Sequence, residues 1–221
     1  FWGNLYHHLP KPEFNGLGAT FAECEFRHSE AYSKLLEVLG YNDEFMTVTS
    51  IPVIKERIDY LSEALADSKS DDREKYLVSL ILFTILIENV SLFSQFAIIL
   101  SFTRFRGYLK NVSNIIAWTS VDEQVHANAG IYIINKIKEE YPEYFNDETE
   151  QLIYRTVENS IQVESRILDW IFEDGVSPEL KKSDILNFMK YRLDESLERI
   201  HMKKLFNITS EEYQPMKWFE E

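Results

Sequence analysis

Glu23-Cys24-Glu25-Phe26-Arg27-His28-Ser29-Glu30-Ala31-Tyr32 is the stretch around which the whole chain is organised. On a helix, residues three apart point the same way one turn along, so Glu25 and His28 share a face. Tyr32, four residues past His28, continues that face by one further turn. Asp122-Glu123-Gln124-Val125-His126 repeats the Glu-x-x-His spacing. Between the two pairs comes Glu88, alone in a long apolar run. Glu-x-x-His, then Glu, then Glu-x-x-His is an order in which bundle helices supply carboxylates and imidazoles to two metal ions.

The rest of the composition fits a helical scaffold. At 221 residues the chain can bury one sizeable core. Apolar residues make up 45%, which places it among globular proteins. Only 7 Gly and 6 Pro favour long helices over a many-turned β architecture. A net charge of −14 disfavours nucleic acid and anionic membrane as partners. One cysteine, Cys24, excludes an internal disulfide and fits a reducing compartment, the cytoplasm. The first residues have neither a basic nor a sustained apolar segment, so no secretory leader is expected. With no initial Met and an abrupt end at Lys217-Trp218-Phe219-Glu220-Glu221, the chain is expected to be an internal piece of a longer one.

Breakers and caps divide the chain. Residues 1–10 look like the tail of a helix and a loop, stopped by Pro10 and Pro12, with Pro12 able to open the next helix. A helical pattern runs from Glu13 to about Leu39 and closes at Gly40. Asn42–Thr49 is expected to be a connection. Ser50, with Pro52 behind it, begins a helix reaching about Ala66, and Asp67–Asp72 is a loop. Asp72 to about Phe105, ended by Gly107, is the longest apolar segment. Lys110 to about Tyr141 follows and is broken by Pro142. Asp147–Phe172 and Ser177–Phe206 are two more amphipathic helices, separated by Asp174-Gly175. Pro215, Trp218 and Phe219 belong to what looks like an extended tail.

Between Lys75 and Arg104 the only charged residue is Glu88. That length could span a membrane. Its central carboxylate, and the Asn89, Ser91, Ser94 and Gln95 that follow, instead favour the buried centre of a large bundle. In either setting an isolated buried carboxylate is very costly, and a metal cation is its most economical partner.

A lone Glu-x-x-His carries little information, and the chain has three. Glu198/His201 lies among Asp194, Glu195, Arg199, Lys203 and Lys204 and reads as a solvated helix face. It serves as a control for the other two. Carboxylates and imidazoles suit iron and manganese, and without cysteine ligands a structural zinc site is disfavoured. The bland reading of His28 and His126 is a pair of buried, hydrogen-bonded histidines. Most of the 12 tyrosines must be ordinary surface or core residues. Tyr32 stands apart because it follows His28 by one turn, where a phenol beside an oxidising metal pair could become a radical. Leu92 and Phe96, one and two turns after Glu88, could wall its pocket.

Through Glu25-Phe-Arg-His28-Ser-Glu-Ala-Tyr32, Glu88 with Phe96 eight residues on, and Asp122-Glu123-Gln-Val-His126, the sequence resembles the small, radical-generating subunit of bacterial class I ribonucleotide reductases. The resemblance extends from Pro10 to Trp218. It implies an all-α, ferritin-like bundle, here one domain over residues 1–221, with two metal ions per chain, manganese or iron. It implies that Glu25, His28, Glu88, Glu123 and His126 are metal ligands and that Tyr32 is the radical residue. Asp122 would orient a radical-transfer chain toward the large subunit, which reduces ribonucleotides to deoxyribonucleotides. It implies a homodimer working with that large subunit, and makes an activating flavoprotein a candidate partner. The family's sixth ligand, a carboxylate on the preceding helix, has no counterpart before Glu13. The relay tryptophan and the C-terminal docking tail are likewise expected outside the chain. Two other readings stand beside this one. A ferritin-like oxidase would need a substrate cavity rather than a radical phenol. A metal-storage protein would need a shell and acidic entry channels.

Overall fold

The computed structural model describes residues 1–9, 11–175 and 178–220. Pro10, Ser177 and Glu221 lie outside them, so a helix stop at Pro10, a helix start at Ser177 and the last residue of the 1–221 span have no structural counterpart to report. Among the described residues the elements are all helical, as expected, and they group into two compact units, residues 1–79 and 80–221.

The first unit is built on helix α2 (Pro12–Leu39), preceded by the short α1 (Leu5–His8). Pro12 sits in the first turn, where its missing N–H costs nothing. Gly40 ends the helix in the left-handed conformation, at φ 76°. The buried Trp2 meets Phe21 edge-on at 5.0 Å and seats the N-terminal turn on α2. Residues 42–48 were expected to be a bare connection and instead form the short helix α3 (Asn42–Val48). Asp43 and Glu44 in its first turn favour the positive end of the helix dipole. Ser50 does not cap the following helix. Its hydroxyl donates to Thr47 O at 2.6 Å and so finishes α3, while α4 (Pro52–Asp67) opens after Ile51.

The second unit centres on the apolar run. Helix α5 (Arg73–Ile81) leads into it, and α6 (Leu92–Arg106) leaves it, closed by Gly107 at φ 70°. In place of an unbroken α-helix, residues Leu82–Ser91 form a π-helical segment, with Leu92 N–H bonded to Ile87 O five residues back. A turn closed five residues back instead of four holds an extra residue, so the side chains that follow are displaced around the axis from their α-helical aim. The segment packs against α6, α7 (Lys110–Glu140), α8 (Asp147–Ile171) and α9 (Lys182–Arg199). Most of its apolar residues are buried in protein, with Phe83 and Ile87 half-buried, as the bundle-centre reading anticipated. Leu80, Ile85, Val90, Ile134, Phe188 and Leu193 are fully enclosed around it.

Gly130 on α7 makes the close approach possible. A Cβ there would stand 2.2 Å from Thr84 Cγ2, so α7 and the π segment meet with no room for even a methyl group. Beyond α9 the expected helix to Phe206 is cut short at Arg199. The cause is the buried Asp194. Its Oδ1 accepts the N–H groups of Leu205 (2.8 Å) and Phe206 (2.9 Å), and its Oδ2 that of Ile208 (3.2 Å). Those donors are thereby lost to a continuing helix, and His201 turns away at φ 58°. The tail expected to be extended is wound into α10 (Ser210–Tyr213) and a 3₁₀ segment over Gln214–Glu220. Tyr213 stacks on Tyr191 at 3.9 Å and Trp218 meets Phe105 at 5.4 Å, so aromatic burial folds it back.

Candidate metal centre

Glu88 comes from the π segment, and Glu123 and His126 from successive turns of α7. All three are buried, with 5%, 1% and 1% of their surface exposed. His126 Nδ1 lies 3.1 Å from Glu123 Oε2 and 3.4 Å from Glu88 Oε2. One ligand atom from each of the three falls within 4.8 Å of the others. One ring nitrogen thus faces two carboxylates. Two carboxylates this close in a dry core repel each other unless positive charge lies among them. Neighbouring donors around an octahedral divalent ion stand roughly 3 Å apart. Donor type, spacing and burial therefore all fit a metal cation.

In the first unit, α2 carries the other pair. His28 Nδ1 lies 3.6 Å from Glu25 Oε2, with the histidine side chain 12% exposed and the glutamate 38%. Cys24 Sγ approaches His28 Nε2 at 3.7 Å from one turn earlier. Tyr32 is half-buried one turn past His28, and its hydroxyl oxygen is enclosed. Asp122 is half-buried on α7, next to Glu123. Of the two residues expected to wall a pocket, Phe96 is buried and Leu92 only half-buried. The control pair behaves as a surface pair. Glu198 is exposed and bonded to Lys204 at 3.2 Å, and His201 has left the helix.

Sequence reasoning missed the support behind the cluster. Arg192 on α9 donates through Nε to the backbone carbonyl of Asn89 at 2.6 Å, and through Nη2 to Asn89 Oδ1 and to Gln124 Oε1, the latter at 3.1 Å. Its guanidinium lies 3.7 Å over the Phe93 ring. Burial lowers Arg192 from its ordinary value to about 10, far enough above neutrality that it keeps its charge. The polar Asn89 and Gln124 beside their glutamates were visible in the sequence. Arg192 was hidden among the other charges of the last helix.

Comparison with known proteins agrees with this architecture. The ribonucleoside-diphosphate reductase subunit beta of Chlamydia pneumoniae is 26% identical over 191 residues, covering 86% of this chain and 51% of that protein. The subunit beta of Halalkalibacterium halodurans is 22% identical over 211 residues, covering 92% and 60%. The chain thus spans about half to three fifths of these relatives. A crystal structure described as a class I ribonucleotide reductase from Bacillus halodurans superposes with a TM-score of 0.89 at 20% identity, covering 99% of this chain and 78% of that one. The ribonucleotide reductase R2 subunit from Clostridium botulinum gives 0.85 at 19% identity, covering 93% and 65%. The fold is therefore the ferritin-like helical one. The family model described as ribonucleotide reductase, small chain, matches residues 1–215, and the chain belongs to that family.

Proposed function

We propose that this chain is the radical-generating small subunit of a class I ribonucleoside-diphosphate reductase, a single ferritin-like domain built around a dinuclear metal centre. The observation that carries the reading is the buried convergence of Glu88, Glu123 and His126 in a chain of this family. The family resemblance adds Glu25 and His28 to the proposed ligands. Their oxygen and nitrogen donors suit manganese or iron. When bound, the metal pair supplies oxidising power drawn from an oxygen species. The chain's own residues hold and direct it. Glu88 and Glu123 would balance the cations' charge, and the two histidines would supply nitrogen ligands. Tyr32 would give one electron to the oxidised metals and its hydroxyl proton to the oxygen species being reduced, and the enclosure of its oxygen would shield the resulting radical from water. Asp122 orients transfer of the oxidising equivalent to the large subunit, where ribonucleotides become deoxyribonucleotides.

The test is elemental analysis joined to electron paramagnetic resonance on the purified full chain after activation. The expected result is two manganese or iron ions per chain and a tyrosyl radical signal. A protein that binds neither metal overturns the reading.

The proposed partners are the large subunit, an activating flavoprotein and a second copy of this chain, all in the cytoplasm. Support for the second copy comes from α7, where Trp118 (79% exposed), Val121 and Val125 form an apolar stripe at helical spacing. Light scattering should give twice the chain mass, and a strict monomer at micromolar concentration would refute the dimer.

A further inference from the structure

We propose that Arg192 is a positioning residue for the metal centre, tying the residue after Glu88 to the residue after Glu123 and so fixing how both carboxylates face His126. The inference rests on the metal-centre reading above. Asn89 and Gln124 are each one peptide bond from a buried glutamate, so any shift in either is passed directly to that ligand. Arg192 holds both at once, and it grips Asn89 through the main-chain carbonyl as well as the side chain. A second hold comes from one turn further along α9, where Asn89 Nδ2 donates to Ser196 Oγ at 2.6 Å. Helices α9 and α7 meet again where Arg199 Nη2 donates to Asn128 Oδ1 at 2.9 Å. Helix α9 thus clamps the π segment to α7 at the level of the cluster.

The need for a clamp follows from the backbone. The π segment sets the direction of Glu88 through a register that α-helical bonding alone would not choose. A guanidinium is a rigid, planar fork that holds acceptors on different helices in a fixed relative orientation, which the freely rotating ammonium of a lysine does not impose. Enclosing it is costly, and an apolar side chain of similar volume would fill the space without that cost. The Phe93 ring face and three uncharged oxygens offset the desolvation. The return is geometric: the carboxylates are held where a cation needs them. Groups that orient metal ligands in this way typically contribute 10–100-fold to metal affinity.

The test uses cobalt(II) as probe, with binding followed by competition against a chelator and by the visible absorption of the bound ion. Three full-length proteins are compared: wild type, Arg192→Lys and Gln124→Leu. Arg192→Lys keeps the charge and stem but loses the fork, and Gln124→Leu leaves Arg192 in place and removes one acceptor. Circular dichroism reports folding. The expected result is about 10–100-fold weaker cobalt binding in Arg192→Lys, a smaller loss in Gln124→Leu, and an altered cobalt spectrum in both. The losses should not add in the double variant, because both break one contact. If Arg192→Lys does not fold, Gln124→Leu alone decides. Wild-type affinity and spectrum in the folded variants overturn the role of Arg192 while leaving the centre itself standing. A wild-type chain that takes up no cobalt overturns the centre and this inference together.

Discussion

Glu88→Ala should lower metal content well below two ions per chain, while Glu198→Ala leaves it unchanged. Both substitutions remove one carboxylate of equal charge, so total charge cannot explain a difference. Their surroundings can. Glu88 is 5% exposed, with its Oε2 3.4 Å from His126 Nδ1, whereas Glu198 is exposed and engages Lys204. Losing a direct ligand should cost more than the 10–100-fold typical of the groups behind ligands, so affinity should fall by at least about 100-fold. A second signature separates a ligand from a structural carboxylate. Truncation leaves a cavity beside His126, so the metal-free variant sets its own stability baseline. The stabilisation that metal gives the wild type should vanish in the variant. Thermal unfolding with and without manganese or iron measures both. Equal metal content in the two variants would sink the assignment of Glu88.

Tyr32→Phe should abolish the radical and, with it, ribonucleotide reduction in the presence of the large subunit. Phe keeps the ring and its packing but has no hydroxyl from which a proton and an electron can leave. Fold and metal content should therefore match the wild type. Tyr32 lies one turn, roughly 5–6 Å along the helix, beyond His28, and its oxygen is enclosed. Electron paramagnetic resonance after activation reads the first effect, and product formation the second. Reductase activity should drop to background. Full activity in the variant would refute the role of Tyr32. A wild type that oxidises a small substrate and never forms a radical would favour a ferritin-like oxidase instead.

Much of this protein was legible in the sequence because the signals are local. Pro12, Gly40, Gly107 and Pro142 mark helix ends through backbone sterics that need no neighbours. Helical spacing alone pairs Glu25 with His28 and Glu123 with His126, and the structure has both pairs in contact. The surface character of Glu198 and His201 could be read from the charges around them.

Tertiary structure decided the rest. Asp194 draws the chain after Arg199 out of its helix by accepting three backbone N–H groups from residues 11–14 positions away. The C-terminal segment is wound because its aromatic rings find partners on α6 and α9. The π register of Leu82–Ser91 cannot be read from an evenly apolar run, which fits either pitch. It is set from outside, by the close approach of Gly130 to Thr84 and the grip of Arg192 on Asn89. Sequence spacing gave Glu88 its isolation but not its direction. A side chain's aim along a helix is fixed by hydrogen-bond register, and here that register is chosen by packing between helices far apart in the chain.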